Sequence, residues 1–305
     1  MKTRLLAAFL LPLAVHAAAI HLTYLGTAGW EIGDGAATIL VDPYLTRPKF
    51  NTPNDAVSPD DPRPLVTAAS VVGPDTAVID AHIRRADVIL ITHTHPDHAL
   101  DMPYIAKKTG APVVGTESTN NLARASGVVE KQLKAVKGGE TLEFPGFSVR
   151  VIRSLHGIFR RPEGPPRAPT PPPLFPADAR PPFRLGQYAE GGTLAYLITM
   201  AGHNVILFGS MNYIESEVEG LRPDIALIGA MPERNNIDDY TPRLMRALGN
   251  PPVVLPTHWD RFNVPHTVSQ EPAVKRLQSF LDEVKAASPK TRIIVPEYFK
   301  PVMIE

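Results

Sequence analysis

Three short apolar runs with β character each end in a histidine, and this feature constrains the fold more than any other. The run DVILI at 87–91 continues into THTHPDHALD, which puts His93, His95, Asp97 and His98 within six residues. The run VRVIRSL at 149–155 precedes His156, and VVLPT at 253–257 precedes His258. Functional groups concentrate on loops held at the ends of rigid strands. A fold that uses these histidines together must therefore bring three strand ends to one edge.

The first loop reads as metal chemistry. In an extended segment residues two apart point the same way, so His93 and His95 face one ion. Pro96 suits the first turn of a helix. Asp97 and His98, at that turn, then point towards a second ion, and the positive end of the helix dipole favours the Asp97 carboxylate. A catalytic zinc site typically has three protein ligands and one open position. Two histidines leave one ligand to come from elsewhere, and His156 and His258 are the candidates. His21, His82, His203 and His266 lack the strand-end context and read as surface or core residues.

Around these runs, strands are expected at 20–25, 29–32, 37–41, 112–114, 133–135, 140–144, 193–199, 204–208 and 224–228, with 292–295 closing the chain. Helices are expected at 75–85, 96–108, 117–125, 240–248 and 274–286. Strands in two groups with interspersed helices predict a layered α/β or α+β fold. No internal repeat is evident. Residues 43–75 read as a long loop. Between 162 and 182, ten of 21 positions are proline, which rules out a helix or central strand and predicts an extended, exposed insertion. It is either a spacer or a lid, since it begins soon after His156.

Composition narrows the function. Acidic and basic side chains number 31 each, which leaves no electrostatic footprint for nucleic acid. There is no cysteine, hence no disulfide and no thiolate ligand. Lys2 and Arg4 precede an apolar stretch at 5–15 and the small residues Ala17, Ala18 and Ala19, the pattern of a cleaved secretory leader. That stretch is too short for a permanent membrane anchor. The expected organisation is a signal peptide at 1–19 and one domain at 20–305 with a Pro-rich insertion at 161–183, in a periplasmic or secreted protein. The oligomeric state is left open.

The pattern HxHxDH at 93–98, with His156 and His258 downstream, resembles the metallo-β-lactamase superfamily over nearly all of the mature chain. The stretches HLTYLGTAGW at 21–30, ILVDPY at 39–44 and HWDRF at 258–262 are similar to the branch that includes ascorbate-phosphate lactonases and the phospholipase D acting on N-acylphosphatidylethanolamine. The resemblance implies an αββα sandwich, two mixed β-sheets flanked by helices. It implies one or two zinc ions, with His93, His95 and His156 at the first site and Asp97, His98 and His258 at the second. It makes Asp42 a residue that supports the histidine loop from behind. Two positions depart from the pattern. Thr27 stands where that branch has histidine. Ser210, after VILFG at 205–209, stands where most members have an aspartate that bridges the metals. A hydroxyl is a weaker ligand than a carboxylate, so a looser second metal is expected, with iron or manganese as alternatives there. One subclass of true metallo-β-lactamases with serine in that place remains active.

The expected activity is a metal-dependent hydrolase. Metal binding lowers the pKa of water from ~15.7 to roughly 7. The resulting hydroxide would attack an ester, lactone, amide or phosphodiester of a small molecule or lipid, with Asp97 orienting the water and taking its proton. Tyr213 and Arg261 are candidate substrate contacts. Two alternatives stand beside this one: a non-catalytic metal-binding protein, and an iron-dependent oxidoreductase on the same fold. Against the latter, di-iron members usually have glutamate where His95 stands, and the sulfur dioxygenases keep the bridging aspartate.

Overall fold

Alternate residues of the run at 87–91 enter two different cores. Val88 and Leu90 join the apolar layer between two sheets, while Ile89 and Ile91 pack under helices on the opposite face. A strand covered on both faces reads as a continuous apolar run rather than an alternating one. Each such side chain contributes roughly 1.5–3 kcal/mol by leaving water. The computed structural model describes residues 19–52, 54–58, 60–158 and 173–305. Residues 1–18, nearly all of the expected leader, and 159–172, which include the first part of the Pro-rich insertion expected at 161–183, lie outside the described residues.

The first sheet holds Ile20–Gly26 (β1), Gly29–Gly33 (β2), Thr38–Val41 (β3), Val88–Leu90 (β4), Val113–Gly115 (β5) and Leu133–Ala135 (β6). The second holds Thr141–Phe144 (β7), Phe147–Arg153 (β8), Leu194–Met200 (β9), His203–Phe208 (β10), Ile225–Gly229 (β11), Val253–Thr257 (β12) and Arg292–Ile293 (β13). The chain then crosses back, and Pro301–Ile304 (β14) pairs antiparallel with β1, Ile20 opposite Ile304. The sequence reading ended at β13. The missed strand is only four residues long and begins with a proline, so it carries little local signal.

Both sheets follow one plan. β1, β2 and β3 are antiparallel neighbours, and β3 to β6 run parallel. β7 to β10 are antiparallel neighbours, and β10 to β13 run parallel. The two sheets face each other, with the Tyr196 hydroxyl donating to the Ile91 carbonyl at 2.7 Å and Trp30 Nε1 to Thr257 Oγ1 at 2.9 Å.

Thr76–His82 (α1), Pro96–Ala99 (α2), Met102–Thr109 (α3) and Glu117–Ala125 (α4) lie along the first half of the chain. Ile79, Ile105 and Leu122 of this group cover the outer face of the first sheet. Glu215–Val218 (α5), Tyr240–Ala247 (α6) and Glu271–Ala287 (α7) belong to the second half. From α6 and α7, Leu244, Leu277 and Phe280 join the core of the second sheet. This is the expected αββα sandwich. Among the described residues no helix is long and apolar enough to cross a membrane.

Two local expectations are corrected. The helix expected at 96–108 is two helices, because Pro103 has no N–H for the residue 99 carbonyl and its ring would clash there in a continuous helix. Asp101, at the break, instead accepts from the Leu45 and Thr46 amides at 2.6 and 2.9 Å. The described part of the insertion is not exposed throughout. Phe175 and Phe183 are buried, and Phe175 is pinned by Ser118 Oγ and Asn121 Nδ2 on α4.

Candidate metal centre

The strand directions explain why one edge collects the ligands. β3 and β4 run parallel, so Asp42 and Thr92 emerge side by side. β8, two antiparallel steps from β10, runs the same way as β10, β11 and β12. His156, Ser210 and His258 therefore follow strand ends that point to the same rim.

His93, His95 and His156 form one group, with one ligand nitrogen from each within 4.8 Å of the others. Their rings stand nearly edge to face, with centroids 4.9, 4.9 and 4.7 Å apart. Burial lowers the pKa of all three, that of His95 to about 3, because the charged imidazolium loses water. They are neutral at pH 7, with lone pairs available. His156 Nδ1 donates to the Gly157 carbonyl at 2.9 Å, which fixes its ring. His93 Nε2 is buried and, among the described residues, has no hydrogen-bond partner. An unsatisfied buried polar atom costs about 1–3 kcal/mol, and a cation held by three neutral imidazoles removes that cost.

Asp97, His98 and His258 form the second group under the same 4.8 Å limit. Asp97 Oδ2 lies 3.4 Å from His98 Nε2 and 3.3 Å from His258 Nε2. The groups are contiguous, since the His93 and His98 ring centroids are 3.8 Å apart. Burial disfavours charge on Asp97, but His98 and His258 outweigh it, and the carboxyl lies well below the usual range. Burial likewise opposes charge on His98. Asp97 and Asp42 overcome it and lift His98 to about 10. Without a cation, His98 therefore carries the positive charge that Asp97 and Asp42 demand, and a cation on Nε2 would replace that proton.

Asp42 stands behind this group. Fully buried, it accepts from His98 Nδ1 at 2.8 Å, the Thr92 amide at 2.7 Å and Thr92 Oγ1 at 2.5 Å. A carboxylate on the far nitrogen of a ligand histidine sets its tautomer and aim. Gly209 leaves room for this arrangement. A Cβ there would lie 2.0 Å from Thr92 Oγ1 and 2.8 Å from Asp42 Oδ2. Gly209→Ala is thus expected to cost at least the roughly 1–3 kcal/mol typical of overpacking and to loosen metal binding, read by denaturant unfolding beside metal titration. Wild-type values in both would refute the role given to this contact.

Ser210 holds a neighbour of the first group. Its Oγ accepts from the Gly157 amide at 2.9 Å, next to His156. Thr27 acts through its backbone. Its carbonyl accepts the His258 N–H at 2.5 Å, and its N–H donates to Asp260 at 2.9 Å. This holds His258 at a φ of 49°, a left-handed conformation that costs a non-glycine residue of order 1–3 kcal/mol.

The ligands open into a cavity of about 200 Å³ whose apolar walls are Phe50, Met211, Met231 and Phe262. The two residues expected to contact substrate are not in its lining. Tyr213 packs in the core against Phe208 and Tyr240. Arg261 turns to Asp55, its Nε 3.3 Å from the carboxylate, and Arg276 grips the same group at 2.8 Å. Both arginines thus hold the loop that brings Phe50 and Thr52 over the cavity. Glu233 does line it and was not anticipated. It sits just past the apolar strand β11, so the strand-end rule that picked out His156 and His258 would have found it.

The profile of the family described as "Beta-lactamase superfamily domain" matches residues 21–258. A metal-dependent hydrolase of the UPF0173 group from Thermoplasma volcanium is 25% identical over 286 residues, 93% of this chain and 98% of that protein. Another, from Symbiobacterium thermophilum, is 24% identical over 256 residues, 80% and 86% of the two chains. Among solved structures, a metallo hydrolase from Ignicoccus hospitalis superposes with a TM-score of 0.56 at 17% identity, covering 94% of this chain and 99% of that one. The di-iron β-hydroxylase CmlA from Streptomyces venezuelae gives 0.55 at 16% identity, covering 94% and 54%. At these identities the superpositions speak for the fold alone. The matched profile spans both ligand groups and most of both sheets, and the chain belongs to the metallo-β-lactamase superfamily.

Proposed function

We propose that this protein is a metal-dependent hydrolase that cleaves an ester, lactone or amide bond of a small molecule, with zinc as its resident metal. The observation that carries the reading is the convergence of six side chains into two contiguous ligand groups at the mouth of one cavity. The UPF0173 relatives, themselves named metal-dependent hydrolases, support it.

His93, His95 and His156 would hold the first cation, and three neutral imidazoles suit zinc. Asp97, His98 and His258 would hold the second, where iron or manganese also fits. The metal supplies Lewis acidity towards water and towards the carbonyl under attack. Asp97, anionic across the neutral range, accepts a hydrogen bond from the attacking water and takes up its proton. Asp42 keeps the His98 proton on Nδ1, so that Nε2 faces the site. The loop bearing Phe50 and Thr52, clamped through Asp55, shields the reacting centre from bulk water. The lining also favours an acyl over a phosphodiester substrate. Among the described residues it contains no lysine or arginine to clamp a phosphate, while Glu233 and Asp97 disfavour an anion.

The test is elemental analysis of the purified protein, followed by turnover of an ester, lactone, β-lactam and phosphodiester panel before and after chelation. Zinc content, acyl turnover lost on chelation and its return with added zinc are expected. Bound metal with no turnover across the panel would favour a binding protein. Iron with oxygen uptake would favour an oxidoreductase.

A further inference from the structure

Glu233 is a buried carboxylate with one oxygen unaccounted for. The residue is 5% exposed and lies in the 3₁₀ turn Pro232–Asn236 that follows β11. Asn54 Nδ2 donates to its Oε1 at 2.7 Å, tying down the loop over the site. Its Oε2 is buried and, among the described residues, has no hydrogen-bond partner. The adjacent cation does not serve it: the Arg234 guanidinium bonds Glu283 at 2.8 Å and Ser279 at 2.5 Å. Glu233 also belongs to neither ligand group. A buried carboxylate oxygen without a partner is costly, and the residue that carries it lines the cavity together with Phe50, Met231 and Phe262.

We propose that Glu233 determines specificity by receiving an ammonium group of the substrate, so that the favoured substrates are amine-bearing esters, lactones or amides with an apolar body. This rests on the hydrolase reading for the words "substrate" and "ester", but the recognition itself does not need turnover. A cation at Oε2 completes the hydrogen bonding of the carboxylate and neutralises it. The rings of Phe50 and Phe262, with centroids 5.8 Å apart, offer π faces that attract the same charge. The methionine walls take up apolar carbons. Among the described residues no basic side chain in the lining competes for the acid.

The experiment is titration calorimetry of the metal-loaded full chain with phenethylammonium, set against its neutral isostere phenethyl alcohol. Neither probe has a scissile bond, so the readout survives failure of the hydrolase reading, and the turnover panel is in turn blind to this one. The ammonium is expected to bind at least about tenfold more tightly than the alcohol. Glu233→Gln, which keeps an oxygen for Asn54, is expected to abolish that preference and leave alcohol binding unchanged. Asn54→Ala, which frees the loop but keeps the carboxylate, is expected to retain it. Equal affinity for the two probes overturns the proposal. So does a preference that survives Glu233→Gln, or one lost equally in a folded Asn54→Ala, which would make Glu233 a loop anchor only.

Discussion

Asp260→Ala is expected to cost about 3–5 kcal/mol of stability, the usual range when one partner of a buried ion pair is removed. Asp260 and Arg47 are essentially inaccessible and pair at 2.6 Å. Arg47 Nε also donates to the Val264 carbonyl at 2.8 Å. Asp260 further accepts from the hydroxyls of Tyr24 and Tyr298, at 2.9 and 2.6 Å, and from the Thr27 amide at 2.9 Å. Alanine strands the guanidinium in a dry interior, takes an acceptor from two tyrosine hydroxyls and frees the turn that holds His258 in its left-handed conformation. Thermal melts should fall by roughly 5–15 °C, with weaker metal binding at the second group. A loss below about 1 kcal/mol would show that the network is not what fixes this corner.

The same network sets an acid limit. Burial favours the neutral form of Asp260, but Arg47 outweighs it and brings the carboxyl from its ordinary 3.8 down to about 2. A depressed folded pKa means that its stabilisation is fully present above the unfolded value near 4 and drains away as pH falls towards 2. The shift corresponds to roughly 2 kcal/mol at neutral pH. Unfolding curves of wild type and Asp260→Ala should therefore converge across that window.

Asp42→Ala is expected to weaken metal binding 10- to 100-fold, the usual effect of removing the carboxylate behind a ligand histidine. The loss should be larger at Asp97, His98 and His258, since His98 Nδ1 loses its acceptor directly. The first group feels it only through Thr92, whose Oγ1 lies 3.2 Å from His93 Nδ1. Competition against a chromogenic chelator would give both affinities. Unchanged affinity at the second group, with the fold intact, would remove Asp42 from the site. The Thr92 amide also loses its acceptor, so a stability loss of about 1–3 kcal/mol should accompany the effect.

The ligand-bearing strand ends were legible because they are local. DVILI at 87–91 has to be a doubly covered strand, and HTHPDH has to sit where it ends. The same logic located His156 and His258, and would have located Glu233 had it been applied beyond histidine. Tyr213 and Arg261 stand outside the described lining of the cavity, which their residue types could not foretell because residue type says nothing about partner. The Arg261 side chain is spoken for by Asp55, remote in sequence, and Tyr213 points into the core. Ser210 and Thr27 were recognised as departures, but their hydrogen bonds to Gly157 and His258 depend on which loops share a rim.

The sequence by itself determined the side-chain chemistry at each strand end and the burial of the strands, since both follow from residue type and a two-residue period. The grouping of the imidazoles and the place of Asp42 behind the histidine loop came from the family resemblance, not from residue type or period. Only the tertiary structure decided that Tyr213 and Arg261 turn away from the cavity and that Glu233 lines it with an oxygen to spare. Those relations join residues far apart in the chain. They depend on the order and direction of strands in two sheets, which no local pattern of side chains encodes.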